Sequence, residues 1–352
     1  MIGRSGIRTT SNPSRRRGSL VALRWLERSF LLLVIGILIL VFWRLSPGWL
    51  NSQTFPFLIA QNAPLEVLTV AMTFSMISAN IDLSPGSMLS LAAMVMGLVY
   101  ERTGSLWWGM VVSLGLTLLV GAVSGFIVGR LQISAIIVTL ATYIWAAGLA
   151  TGINSANAIP MKGALLNFLN RGIDGWTWTI VVVFVFFALG HFLLAKTKFG
   201  YYSRAIGGNS EFARRSGIPV SRQVLYIFLF MGVTIWVGTV LSVAQLGAAQ
   251  SSAGTGFELD AIVAVVIGGT RLTGGEGSVL RSGVGALLLA VLSNGLLALG
   301  LSDAYYDLWE GLALIAVLVI SVSLQHLVRH LEARDAPTPL SPALPEPALE
   351  AA

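Results

Sequence analysis

The 352-residue chain is 55% hydrophobic and 11% charged, carries a formal net charge of +6 and contains no cysteine. A soluble chain carries roughly 25% charged residues, so this one cannot cover a water-facing surface of its size, and the missing cysteines exclude disulfides, thiolate metal sites and a cysteine nucleophile. The basic residues lie between apolar blocks, which reads as the loop charge bias of a membrane protein and argues against nucleic acid as a partner.

In chain order, residues 1–27 read as an unstructured basic arm containing Arg15, Arg16 and Arg17. The apolar run Phe30–Trp43 is followed by Arg44, Leu45, Ser46 and Pro47, with no small-x-small cleavage site, and reads as an uncleaved first helix. Ten apolar segments follow from the pattern, at 28–45, 56–80, 84–101, 107–129, 132–153, 177–195, 222–246, 258–271, 278–300 and 307–325. A helix crosses the hydrocarbon core with about 20 residues, and lipid offers its backbone no other partner. The eighth segment is too short to cross alone. The loops at 129–132, 195–222 and 271–278 and the C-terminal tail hold Arg130, Lys196, Lys198, Arg204, Arg214, Arg215, Arg222, Arg271, Arg329 and Arg334. Those at 246–258 and 300–306 hold no Lys or Arg. Arg102, Lys162 and Arg171 run against the trend. The expected fold is all-α and polytopic, with about ten transmembrane helices including short or broken segments, and both termini cytoplasmic. The transmembrane domain would span 28–328, and 329–352 reads as an unstructured tail.

Three stretches interrupt the apolar pattern. The first is Asn80-Ile81-Asp82-Leu83-Ser84-Pro85-Gly86-Ser87. Ser84 before Pro85 is a helix-start signal, and Asp82 suits the dipole there. The stretch fits a capped turn or a discontinuous helix whose polar groups line a path. The second runs Gly254-Thr255-Gly256-Phe257-Glu258-Leu259-Asp260 and, after a short apolar segment, Gly268-Gly269-Thr270 to Gly277-Ser278. Glycines on both sides suggest a half-helix packed inside a bundle, with Glu258 and Asp260 either capping it or facing a path. The run lacks the Gly-Lys-Ser/Thr ending of a phosphate-binding loop, so ATP hydrolysis by this chain is not expected. The third is the basic loop 195–222, where Ser210–Ser216 favours a short helix capped by Asn209 or Ser210 and ended by Gly217.

Taken together, these stretches resemble the permeases of ribose-, xylose- and arabinose-type ABC importers. The match is carried by Ile81-Asp82-Leu83-Ser84 with Gly86-Ser87, by Gly207-Gly208-Asn209 with Ser216-Gly217-Ile218, by the run from Ser252 to Gly277, and by Asn294-Gly295-Leu296. The resemblance implies a monosaccharide carried by alternating access across a bacterial inner membrane. It implies a pore made with a second permease copy, identical or related, an ATP-binding cassette protein docked on the cytoplasmic side, and a periplasmic sugar-binding protein. No cofactor of its own is implied, ATP being bound by the partner. Gly208, Asn209, Ala213 and Gly217 would then lie in the coupling loop, and Asn80, Asp82, Ser84, Glu258, Asp260 and Asn294 near the substrate pathway. Ala79-Asn80 stands where the family usually has Gly-Gly, and Pro85 where it has Val. The alternatives are an ion-coupled secondary transporter, which calls for a relay of intramembrane carboxylates, and a membrane-embedded enzyme, for which His191 is the only histidine within an apolar block.

Overall fold

The computed structural model describes residues 13–300, with side chains from Ser29 onward, and nine positions between 308 and 323. Its elements are α1 (Pro13–Leu45), α2 (Thr54–Ile77), α3 (Pro85–Thr103), α4 (Leu106–Leu131), α5 (Ala135–Gly152), β1 (Ile159–Pro160), α6 (Ala164–Leu169), β2 (Gly172–Ile173), β3 (Trp176–Thr177), α7 (Trp178–Lys196), α8 (Lys198–Gly208), α9 (Ser210–Arg215), α10 (Val220–Leu246), β4 (Ala248–Ala249), α11 (Phe257–Ile267) and α12 (Val279–Ala298). The two-residue strands pair antiparallel, β1 with β4 and β2 with β3. Contacts divide the chain into a bundle, Leu31–Ile315, and a second unit formed by Met1–Phe30 and Ala316–Ala352.

Six helices among the described residues are long and apolar enough to cross a membrane: α2, α4, α5 with the short turn that follows it, α7, α10 and α12. The half-helix expected at 258–271 is α11, with 11 residues. The tenth expected segment, 307–325, lies largely outside the described residues, and the tail from 329 lies wholly outside them. One expectation is corrected at the N-terminus. Helix begins at Pro13, inside the arm read as unstructured, because Pro suits the first helical position and the Arg, Leu, Ala and Glu residues that follow are strong helix formers.

The bundle is arranged around α2. It packs against α7, α8, α10, α11 and α12, and most of its residues are buried, whereas most of those of α4 and α5 are not. The outer helices are built inside out. On α4, Trp107, Trp108 and Leu119 are exposed, whereas Ser113, Thr117 and Ser124 are buried. Lipid is as apolar as leucine, so helices here associate through close packing of small residues. Gly121, Gly125 and Gly129 form such a stripe against α10: a Cβ at these positions would lie 2.6 Å from the Phe228 carbonyl oxygen, 2.9 Å from Leu225 Cα and 2.7 Å from the Ser221 carbonyl oxygen. Gly232 answers from α10, where a Cβ would lie 2.7 Å from the Thr117 carbonyl oxygen. This stripe is absent from the reading of the sequence above.

Three helix ends close with one hydrogen-bond pattern, the Schellman motif. After α2, Asn80 N–H donates to Ser75 O and Ala79 N–H to Met76 O, both at 2.9 Å. After α9, Ile218 N–H donates to Ala213 O at 3.0 Å and Gly217 N–H to Arg214 O at 3.1 Å. After α11, Thr270 N–H donates to Val265 O at 3.1 Å and Gly269 N–H to Val266 O at 2.8 Å. The motif needs a left-handed residue. Gly217 and Gly269 supply it at φ +80° and +88°, but after α2 the position is held by Ala79 at φ +58°. An L-residue there is strained by roughly 1–2 kcal/mol.

Two outcomes follow. Gly125→Leu forces α4 away from α10 and destabilises the detergent-solubilised protein by about 1–3 kcal/mol, read as an earlier thermal unfolding midpoint. Ala79→Gly relieves the left-handed strain and, after the added freedom of the unfolded chain, stabilises it by about 0.5–1 kcal/mol, read in the same assay as a later midpoint.

Candidate functional site

The first polar break connects α2 to α3 as a hydrogen-bonded knot. Asp82 is buried, at 2% exposure, and its Oδ1 accepts from Ser84 N–H at 2.8 Å and from Ser84 Oγ at 2.7 Å. Leu83 N–H donates to Thr139 Oγ1 of α5 at 3.0 Å. Asn80 Nδ2 donates to Ser78 O at 2.8 Å, and Ser75 Oγ donates to the Asn80 carbonyl. Pro85 stands at the first helical position, as the sequence signals, but Ser84 makes no side-chain cap. Its hydroxyl donates back to Asp82 because a buried carboxylate needs donors more than the helix end needs an acceptor. Asp82 and Ser84 border a cavity of about 10 Å³ beside Thr117 and Ser124 of α4 and Met231 of α10, the room of roughly one water.

The second break gives Glu258 and Asp260 different surroundings. Both lie in the first turn of α11. Glu258 is 6% exposed, and its Oε2 has no hydrogen-bond partner among the described residues. It lies against Gly86, where an added Cβ would overlap the Glu258 carboxylate and the Gly254 carbonyl. Gly254 N–H in turn donates to Ser90 Oγ of α3 at 2.9 Å. Backbone thus meets backbone where the two breaks cross, and only glycine at 86 and 254 permits it. Asp260 instead borders a cavity of about 400 Å³, together with Gln61 and Asn62 of α2, Thr255, and Ser293 and Asn294 of α12. Asn294 is held in place: its Oδ1 accepts from Trp49 Nε1 at 2.9 Å, and its Nδ2 donates to Gln61 Oε1 at 3.4 Å.

The third stretch is more ordered than its composition suggests. Besides the expected α9, residues 198–208 form α8, which the sequence reading treated as loop. Gln223 of α10 holds α8, donating from Nε2 to Phe199 O at 2.8 Å and to Ser203 Oγ at 3.1 Å, and Arg204 Nη1 donates to Leu194 O at 2.8 Å. Phe199 also packs on Phe74 of α2, with ring centroids 5.0 Å apart. On α9, Asn209 is the cap, its Oδ1 accepting from Phe212 N–H at 2.9 Å. Ala213 is 1% exposed and Phe212 is 70% exposed, so α9 is anchored on one face and presents an aromatic ring on the other.

All three stretches converge. Gly275 N–H donates to the Ile77 carbonyl at the end of α2 at 2.8 Å. Gly207 at the end of α8 sits on the same carbonyl, where an added Cβ would lie 2.6 Å from Gly275 N. Beside this junction, Asn80, Gly208, Asn209, Gln132 and Arg214 border a cavity of about 540 Å³. The six pathway candidates therefore do not form one site. Asp260 and Asn294 share the 400 Å³ cavity, Asn80 joins Gly208 and Asn209, Asp82 and Ser84 form the knot, and Glu258 is enclosed between the breaks. Gln61, Asn62 and Ser293 were missed, as was Glu66, which is 5% exposed in the middle of α2. A lone carboxylate inside an apolar block is a functional signal that could have found Glu66.

Residues 56–318 match the family model described as branched-chain amino acid transport system / permease component. The chain is 32% identical over 324 residues to the ribose import permease protein of Escherichia coli (strain K12), covering 88% of this chain and 98% of the relative. It is 31% identical over 259 residues to the L-arabinose transport system permease protein of the same strain, covering 72% of this chain and 77% of the relative. It is 29% identical to that strain's xylose transport system permease protein, covering 82% and 88%. No solved structure matches. With its apolar helices, glycine-packed interior and polar breaks, the chain belongs to this family of multi-pass membrane permeases, the transport subunits of ABC importers.

Proposed function

We propose that the chain is the membrane-spanning subunit of a bacterial inner-membrane ABC importer that moves a monosaccharide into the cytoplasm. The observation that carries this reading is the 400 Å³ cavity between α2, α11 and α12, with Gln61, Asn62, Thr255, Asp260, Ser293 and Asn294 on its walls. Its size falls in the range of about 300–1,000 Å³ usual for small-molecule sites. Amides, hydroxyls and one carboxylate supply the mixed donors and acceptors that a neutral, hydroxyl-rich solute requires. The relatives named for ribose, L-arabinose and xylose support a sugar of the same size class.

Transport in this reading is alternating access without covalent chemistry. The 28–328 domain would place about ten spans in the membrane with both termini cytoplasmic, so that α8 and α9 face the cytoplasm. An ATP-binding cassette protein docks on α9 and the loop around Gly208, Asn209, Ala213 and Gly217. ATP binds that partner and not this chain. A periplasmic sugar-binding protein delivers the solute to the opposite side, and a second permease copy, identical or related, completes the pore. The junction of Gly207, Ile77 and Gly275 supports the coupling step, since movement of α8 is felt at once by the end of α2 and by the 271–277 turn.

In vesicles holding the complete importer, ATP-dependent sugar uptake persists with a protonophore present; abolition of uptake by the protonophore alone would indicate an ion-coupled carrier. Asp260→Asn combined with Asn294→Leu lowers that uptake at least about tenfold, as expected when about 1.4 kcal/mol or more of solute stabilisation is lost, and leaves membrane insertion and partner assembly intact. Deleting Asn209–Gly217 abolishes uptake while the protein still inserts; normal uptake in that variant refutes the docking role of α9.

A further inference from the structure

A second cavity, of about 650 Å³, opens where α4 ends and α10 begins, and it is lined by Arg130, Arg214 and Arg222 together with Gln132 and Ser221. Among the described residues no acidic side chain borders it. The acid nearest in sequence to Arg214 and Arg222, Glu211, is engaged with Arg215 at 3.0 Å. Three guanidinium groups around one space repel each other unless an anion joins them, and arginine's fork matches phosphate oxygens. The first-turn N–H groups of α10, at Ser221 and Arg222, have no acceptor in a preceding turn and add to the positive potential. Ile218, Pro219 and Val220 complete its lining, and the chain neighbours of its arginines are exposed and apolar: Leu131, next to Arg130, at 56% and Tyr226, one turn after Arg222 on α10, at 53%. A free anion has no use for such a border, whereas acyl chains do.

We propose that this cavity binds the phosphate headgroup of an anionic phospholipid, with its acyl chains lying along the exposed sides of α4, α5 and α10. The site is separate from the sugar cavity and lies against the α9 segment, so a bound lipid would steady the base of α9 through Arg214.

The test uses the full-length protein in detergent, with lipid binding followed by native mass spectrometry. Dioleoyl phosphatidylglycerol is expected to bind at least about tenfold more tightly than dioleoyl phosphatidylcholine. Each arginine near the surface contributes roughly fivefold, so Arg130→Gln with Arg222→Gln lowers phosphatidylglycerol affinity about 25-fold and leaves phosphatidylcholine binding unchanged. Arg130→Lys with Arg222→Lys retains the charge but loses the fork, and keeps affinity within about threefold because the charge carries most of the attraction. Should the double Gln variant fail to fold, Arg222→Gln alone is measured, with about a fivefold loss expected. Equal binding of the two lipids overturns the proposal. So does binding of inorganic phosphate at the affinity of phosphatidylglycerol, which would make this a free-anion site. Unchanged lipid binding in the Gln variants, with loss of ATPase-subunit association, would assign the arginines to protein docking and also overturn it.

Discussion

The peptide carbonyl of Ile77 accepts a hydrogen bond from Gly275 N–H at 2.8 Å, and Gly207 packs on the same carbonyl with no room for a side chain. This contact joins three segments that are far apart in the chain: the end of the central helix, the glycine turn between α11 and α12, and the end of α8. A buried carbonyl within a membrane bundle must find a donor, and α2 stops at Ile77, so the last turn has carbonyls to satisfy. The Schellman closure through Ala79 and Asn80 takes up two of them, and the turn at Gly275 takes up another. The polar breaks are therefore joined at their backbones rather than being separate loops that happen to lie near one another.

The rest of the bundle shows why such an arrangement holds in lipid. With no hydrophobic driving force between helices, close approach is the main source of association. The glycine stripe of α4 against α10, Gly86 against Gly254, and Gly268 against the Arg281 carbonyl, 2.7 Å from an added Cβ, all serve that end. On the outer helices large apolar side chains such as Trp107, Trp108 and Leu119 face outward, while Phe74, Met72 and Met88 fill the interior around α2. Polar groups inside are spent on local knots, as with Asp82 and Ser84, or gathered around the 400 Å³ cavity.

Much of this was legible in the sequence because lipid enforces simple rules. From α2 to α12 the helices that match apolar blocks end within a few residues of the block limits, α1 alone starting well before its block, and the α9 cap at Asn209 and its closure at Gly217 follow from short-range chemistry. The illegible parts share one cause: a residue type with two uses. Gly200, Gly207 and Gly208 read as loop, yet Gly200 and Gly207 are helical residues chosen for contact with Leu194 and Ile77, so α8 was missed. Ser84 reads as a cap, but a buried carboxylate two residues away claims its hydroxyl. Pathway candidates grouped by motif proved to lie in separate places, because order along a chain does not say which breaks face the same cavity.

The central claim is that the backbone junction of Ile77, Gly275 and Gly207 transmits movement of the α8–α9 segment to the polar breaks. The most direct test is Gly207→Ala in the reconstituted importer, with the bound ATPase subunit and sugar uptake measured on the same vesicles. A Cβ there would overlap the Ile77 carbonyl and must push the segments apart. The account predicts a correctly inserted protein that keeps its ATPase partner and loses at least about nine-tenths of its uptake, a cost of roughly 1.4 kcal/mol or more in the transport step. Uptake at the unsubstituted rate would contradict it.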